Sequence, residues 1–357
     1  MKNSKISSLL IPILSFVLAI IMSAIIMALC GYNPITAYRL IFKGAFGNFR
    51  RISNTLIQAT PLIFTGLAYM VAKKTTMINL GVEGQLYVGA MAAAIVGIIP
   101  VSIPMPLHIF LCALAGFVAG GLSGLFIGYL KVRFGSQEVI TTSMMNFILI
   151  NFCNYLVNYP LKAEGGTPQT DRIADSAVMP KIIGGYQLTY AIVFAFIVGI
   201  VVYILMEKTK LGFEIQCVGL NQKASETAGI KVSKVIMTAM LISGGVAGLG
   251  GAAHVMAVDH RFIANFSPGY GYSGIAVTAL ANESAIGVII SGIVFGALKT
   301  GADYLNMSSR IPTEFVSIVQ AFVVILISAP LLVKDIVPIL KEKKANKKKA
   351  VAKEESK

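Results

Sequence analysis

The sequence predicts an all-α polytopic membrane protein of about ten membrane segments, some of them broken or re-entrant short helices. Three observations carry that reading. Of 357 residues, 56% are hydrophobic and 13% charged, more apolar surface than a soluble chain of this length can bury. The apolar residues fall in runs of spanning length. Basic residues flank those runs, as a membrane orientation signal requires. The formal charge of +14 therefore does not point to a nucleic acid, since eight of the 30 basic residues lie in the tail from Lys341 onward. The medium is membrane lipid. Residues 1–333 read as one transmembrane domain with a cytoplasmic loop at 207–234, followed by a basic cytoplasmic tail, 334–357, expected to be disordered. Cys30, Cys112, Cys153 and Cys217 stand singly, without metal-ligand or redox spacing, so no metal site is expected. Trp is absent, which leaves Tyr to supply an aromatic belt.

Span one, Leu9 to Leu29, follows Lys2 and Lys5, and reads as a retained span rather than a cleaved signal. Gly31 to Ser53 interleaves Arg39, Lys43, Arg50 and Arg51 with Tyr38, Phe42, Phe46 and Phe49, a pattern that suits an external helix lying at the interface. Span two, Thr55 to Val71, returns to Lys73 and Lys74. The next segment opens with Asn79, Gly81, Glu83, Gly84 and Gln85, polar residues that must be packed against protein or line a wet cavity. Span four, Leu107 to Leu130, carries Gly116, Gly120, Gly124 and Gly128, a small-residue stripe for close helix packing. Span five, Ile140 to Tyr159, contains Asn146, Asn151, Asn154 and Asn158. The last three share a helical face, either for interhelical hydrogen bonding or for a substrate path.

Span six, Tyr190 to Met206, leads into Lys208–Lys234, a polar stretch too long for a simple turn and lysine-rich enough to stay cytoplasmic. Within it Gln222 to Ala228 reads as a short helix, N-capped by Asn221 and ended by Gly229. It is either a docking element or a solvated linker. Span seven, Val235 to Met256, ends near His254, Asp259, His260 and Arg261, read as a polar span end rather than a metal site. If the basic tail is cytoplasmic, the last span, Phe315 to Val333, runs inward, so Gly269 to Gly301 must begin and end outside. That requirement predicts two short segments, Tyr270 to Leu280 and Ile286 to Ala297, turning at Ala281, Asn282, Glu283 and Ser284. With both termini cytoplasmic, 20 basic residues lie inside and 10 outside.

NLGVEGQ (Asn79 to Gln85), GSQEVITTSMMNFI (Gly135 to Ile148), LGFEIQCVGLNQKASETAGI (Leu211 to Ile230) and SPGYGYSGIAVTALANESAIGVI (Ser267 to Ile289) resemble, in order and spacing, the permease of nucleoside-type ABC importers. That family lies within the branched-chain amino acid and ribose permease superfamily. The EGQ form of the first motif resembles the larger of two permease subunits. The resemblance implies an ABC importer permease fold in the cell membrane of a bacterium. Its implied partners are a cytoplasmic ABC ATPase, a second homologous permease, an external substrate-binding lipoprotein and a nucleoside substrate. It also implies that Gly219, Asn221, Ala224, Glu226, Ala228 and Gly229 couple the chain to the ATPase. The chain carries no G-x-x-x-x-G-K-[ST], so it has no phosphate-cradling loop, and no cofactor is expected on it; ATP belongs to the partner subunit. It is expected to be a transport subunit, not an enzyme, since no nucleophile–base pair stands out. Candidates for the translocation path are Asn79, Glu83, Gln85, Asn146, Asn151, Asn154, Asn282 and Glu283. The alternatives are a sugar (ribose-like) importer permease and an ion-coupled secondary transporter, for which Glu83, Glu138 and Glu283 would be the buried carriers.

Overall fold

The structure is a computed structural model, and it describes residues 2–99, 103–309 and 312–328. The tail at 334–357 lies outside the described residues, as does the end of the predicted last span. Regular structure among the described residues is helical, with only isolated bridge pairs besides. Six helices are long and apolar enough to cross a membrane: α3 (Phe49–Lys73), α5 (Met105–Phe134), α6 (Glu138–Asn158), α7 (Ala191–Lys208), α10 (Val232–His254, extended by a π turn to Asp259) and α12 (Ala285–Ser309). Apolar stretches shorter than these are Phe16–Leu29 within α1 (Lys2–Leu29) and α4 (Val82–Ile98). The remainder are α2 (Pro34–Phe46), α8 (Lys210–Leu220), α9 (Gln222–Thr227), α11 (Tyr270–Leu280) and α13 (Glu314–Ser328).

The centre of the bundle is α3, enclosed along most of its length by α7, α10, α11 and α12. Hydroxyls on neighbouring helices donate to its backbone, and one of its own donates to a neighbour's carbonyl. Ser243 Oγ donates to the Ala68 carbonyl at 2.7 Å and Thr278 Oγ1 to the Gly66 carbonyl at 2.7 Å, while Thr65 Oγ1 donates to the Tyr270 carbonyl at 3.0 Å. In lipid, where apolar side chains gain little from meeting one another, such bonds and close packing do much of the joining.

The predicted glycine stripe is the second joint. A Cβ on Gly120 would stand 2.3 Å from the Gly244 carbonyl oxygen, and one on Gly124 would stand 2.2 Å from that of Met240. The backbones of α5 and α10 therefore touch, which larger residues would prevent.

Two elements differ from expectation. The second of the two predicted short segments is a full 25-residue helix, α12, which runs antiparallel to α3 past Val288, Gly292 and Gly296 and meets Ile41 of α2 at Gly301. Small residues and polar ones such as Lys299 and Asp303 lower its apparent hydrophobicity, while packing against α3 supplies the stability that composition hides. Only α11 is short: a turn at Ala264 and Asn265, the latter with φ 56°, and non-helical backbone through Gly269 precede it. The loop at 207–234 is largely helical as well, with α8 preceding the expected short helix.

Candidate functional site

The polar residues of the first motif gather where α4, α6, α10 and α11 meet. Asn79 is fully buried; its Nδ2 donates to Gln85 Oε1 at 3.0 Å and to Ser243 Oγ at 2.9 Å, while its Oδ1 accepts from the Gly81 N–H at 3.1 Å. The extended chain before α4 is thereby satisfied inside the protein. Asn146 of α6 is also fully buried, accepting from the Gly84 N–H and donating to Tyr272 Oη at 2.6 Å.

Glu83 lies in the first turn of α4 and accepts the N–H of Gly271 at the start of α11. One carboxylate thus sits at two helix N-termini, where the peptide dipoles favour negative charge. Ser267 completes the cap, its Oγ accepting from Tyr270 N at 3.1 Å. Gly271 has to be glycine at this crossing, because a Cβ there would lie 2.4 Å from the Glu83 nitrogen. Glu83→Leu is expected to destabilise the purified protein by about 2 kcal/mol, since it removes a buried acceptor and orphans the Gly271 donor. Glu83→Gln should cost clearly less. Thermal unfolding in detergent compares the two, and equal losses would show that Glu83 contributes by volume alone.

Asn151 and Asn154 lie elsewhere on α6. Asn151 is exposed and its Nδ2 returns to the Phe147 carbonyl at 2.8 Å. Asn154 is half-buried and donates to Asn265 Oδ1 at 3.2 Å, while its own Oδ1 has no donor. Exposed amides midway along an apolar helix are costly against lipid, so this face needs a protein partner or water. Asn265, which binds Asn154, and Tyr272, which binds Asn146, were not singled out from the sequence. Asn265 lies in the turn before α11 and Tyr272 in its first turn, and only the fold brings them to α6.

Asn282 and Glu283 are remote from this group. They form the α11–α12 turn with φ of 49° and 57°, left-handed conformations that non-glycine residues rarely adopt. Glu283 pairs with Lys73 at 3.0 Å, at the same end of the bundle as α8 and α9. The six residues read as coupling positions lie together at that end. Asn221 caps α9, its Oδ1 accepting from Ala224 N at 3.1 Å. Gly229 closes α9 with φ +84°, its N–H reaching the Glu226 carbonyl at 2.9 Å and that of Ile230 the Ser225 carbonyl at 3.0 Å. Gly219 seats α8 on the end of α3, since a Cβ there would be 2.0 Å from the Lys74 carbonyl oxygen. Asn221, Ala224, Glu226, Ala228 and Gly229 are all exposed, and Leu220 beside them is 87% exposed.

At the opposite end His254 Nε2 lies 3.2 Å from Asp259 Oδ2. Burial holds the neighbouring His260 imidazole below its ordinary pKa, with Arg172 adding to the effect, so the ring is neutral at pH 7. No cluster of His, Cys, Asp and Glu able to hold a metal ion occurs among the described residues.

The family model "Branched-chain amino acid transport system / permease component" matches residues 51–328. The guanosine ABC transporter permease protein NupP of Bacillus subtilis (strain 168) is 35% identical over 348 residues, covering 96% of this chain and 99% of the relative. The nucleoside ABC transporter permease protein NupB of Lactococcus lactis subsp. cremoris is 33% identical, covering 97% of this chain and 99% of the relative. A glucose ABC transporter permease protein of Haloferax volcanii is 31% identical, covering 88% of this chain and 85% of the relative.

Proposed function

Because the chain belongs to the branched-chain amino acid transport system / permease component family, we propose that it is the larger permease subunit of an ATP-driven nucleoside importer, working beside a second permease, a cytoplasmic ATPase and an external binding lipoprotein. The observation that carries this reading is the α8–α9 element. A chain with no phosphate loop of its own presents a capped, solvent-exposed helix, flanked by Leu220 and seated through Gly219 on the end of the central helix. A force applied to α9 is passed directly to α3. Nucleosides are favoured over sugars because the two relatives named for guanosine and nucleosides cover nearly all of both chains, more than the glucose relative does. The amides of α6 suit such a polar, uncharged solute.

Ten crossings follow when α1, α4, the coil plus α11, and α13 are added to the six long helices. Lysines at the α8–α9 end put that end, and both termini, in the cytoplasm. The α6 face bearing Asn151 and Asn154 then turns toward the solute path, against the second permease.

Co-purification from the native host, followed by reconstitution, tests the assignment. Recovery of an ATPase and a second permease, with ATP-dependent guanosine uptake, is the expected result. A chain recovered alone that transports on an ion gradient without ATP would sink it. Within the path, Asn151→Leu is expected to reduce uptake about tenfold, and Asn158→Leu, at the helix end and bonded to the Asn154 carbonyl at 2.7 Å, by less than twofold. Equal and negligible effects in an uptake assay would assign the Asn face to packing.

A further inference from the structure

On the side of the bundle away from α6, a cavity of about 490 Å³ opens between α3 and α12 near the end opposite α8 and α9. A second, of about 220 Å³, adjoins it, sharing Ile57, Gln187 and Val258 in its wall. The larger volume suits a small-molecule site. Its wall is composed by helix periodicity. Asn54 and Gln58 lie four apart on α3; Thr300, Asp303 and Tyr304 share one face of α12. The third wall is the π turn at the end of α10, which contributes Val258.

Two features show polar capacity left unused. Thr300 is 8% exposed and its Oγ1 has no hydrogen-bond partner. Pro61, inside α3, has no N–H to return to the carbonyl of Ile57, a residue lining both cavities. Of the nearby cations, Arg50 is exposed on the cavity wall, while Arg51 and Lys299 are engaged. Arg51 lies 3.9 Å over the Tyr304 ring and donates to the Lys43 carbonyl at 2.7 Å, and Lys299 lies 4.1 Å over the Tyr270 ring. The groups left to a ligand are the Asn54 amide, the NH2 of Gln58, the Thr300 hydroxyl, and the opposed charges of Arg50 and Asp303. Such a set fits an uncharged solute bearing adjacent hydroxyls, with the carboxylate accepting from the diol.

We propose that this chamber is a second solute site, separate from the α6 face, that holds a nucleoside by its ribose diol before the solute reaches the path. The identity of the solute rests on the nucleoside-import reading. The floor of the chamber also touches α11. Tyr270 Oη donates to Gln58 Oε1 at 2.8 Å, and Tyr270 is the first residue of α11, whose next N–H rests on Glu83. Occupancy is therefore placed one hydrogen bond from the N-terminus of α11.

The test is thiol protection of the full chain in sealed vesicles. Val258→Cys, on the shared wall, is the reporter, with exposed Cys30 and partly exposed Cys217 changed to Ser. A membrane-impermeant maleimide added outside should label it. Guanosine should slow labelling, 2′,3′-dideoxyguanosine should not, and Asp303→Asn should raise the half-protecting guanosine concentration at least about tenfold. Asn54→Ala, which shortens an amide on the exposed rim without touching the Lys299 neighbourhood, should raise it several-fold. A reporter that resists labelling, equal protection by the dideoxy compound, or protection by inorganic phosphate or anionic lipid in place of guanosine would each overturn the proposal. Guanosine uptake by the assembled importer without protection would sink the chamber and leave the import reading standing. Protection without ATP-driven uptake would do the reverse.

Discussion

Gly248→Leu is expected to leave almost no folded protein. Three helices meet at this residue. A Cβ on Gly248 would lie 2.1 Å from the Gly116 carbonyl oxygen of α5, and one on Gly89 of α4 would lie 2.2 Å from the Gly248 Cα. Because both partners are backbone, no side chain can rotate aside. Separation of α10 from α5 also moves Ser243, on which Asn79 and the Ala68 carbonyl depend. A loss of about 4 kcal/mol or more places this change at the severe end of single substitutions. Size-exclusion chromatography in mild detergent should show aggregate in place of a monodisperse peak. Gly166→Leu is the control, since nothing lies within 4 Å of a Cβ there, and should elute as wild type. A normal peak for Gly248→Leu would mean that the helices can separate without consequence, contrary to the packing seen.

The second large effect is functional. Glu226→Arg in α9, or Leu220→Asp beside it, should leave insertion, thermal stability and association with the second permease intact while lowering ATP-driven uptake at least about tenfold, equivalent to about 1.4 kcal/mol of coupling. Both side chains are exposed, so neither change disturbs the interior. Gly229→Arg should uncouple too, but its φ of +84° adds about 1–2 kcal/mol of backbone strain, making it the less clean probe. Stability and uptake must be measured together. Normal uptake by both Glu226→Arg and Leu220→Asp would reduce the α8–α9 element to a linker.

Legibility differed between the two regions for physical reasons. The α9 helix was readable almost to the residue because capping is local: Asn221 and Gly229 satisfy orphan backbone groups a few positions away. The α5 glycine stripe was readable because spacing of four puts small residues on one face. α12 was misjudged in length because Lys299 and Asp303 interrupt its hydropathy, although two charges at a spacing of four inside an apolar run were themselves a visible signal. α8 was missed because its partner, the end of α3, is distant in sequence.

By itself, the sequence determined the membrane class, the ends of most long helices, the capped loop and the need for internal partners for Asn79, Glu83 and Gln85. These follow from hydropathy, local capping and the cost of unpaired polar groups in lipid, none of which needs a neighbour to be named. The tertiary structure decided who the partners are. It set Glu83 under α11, joined Asn146 to Tyr272 and Asn154 to Asn265, and sent Asn282 and Glu283 to the far end beside Lys73. It also opened the chamber between α3 and α12. Residues more than a hundred positions apart in the chain are brought together by how helices cross, and no local periodicity encodes a crossing.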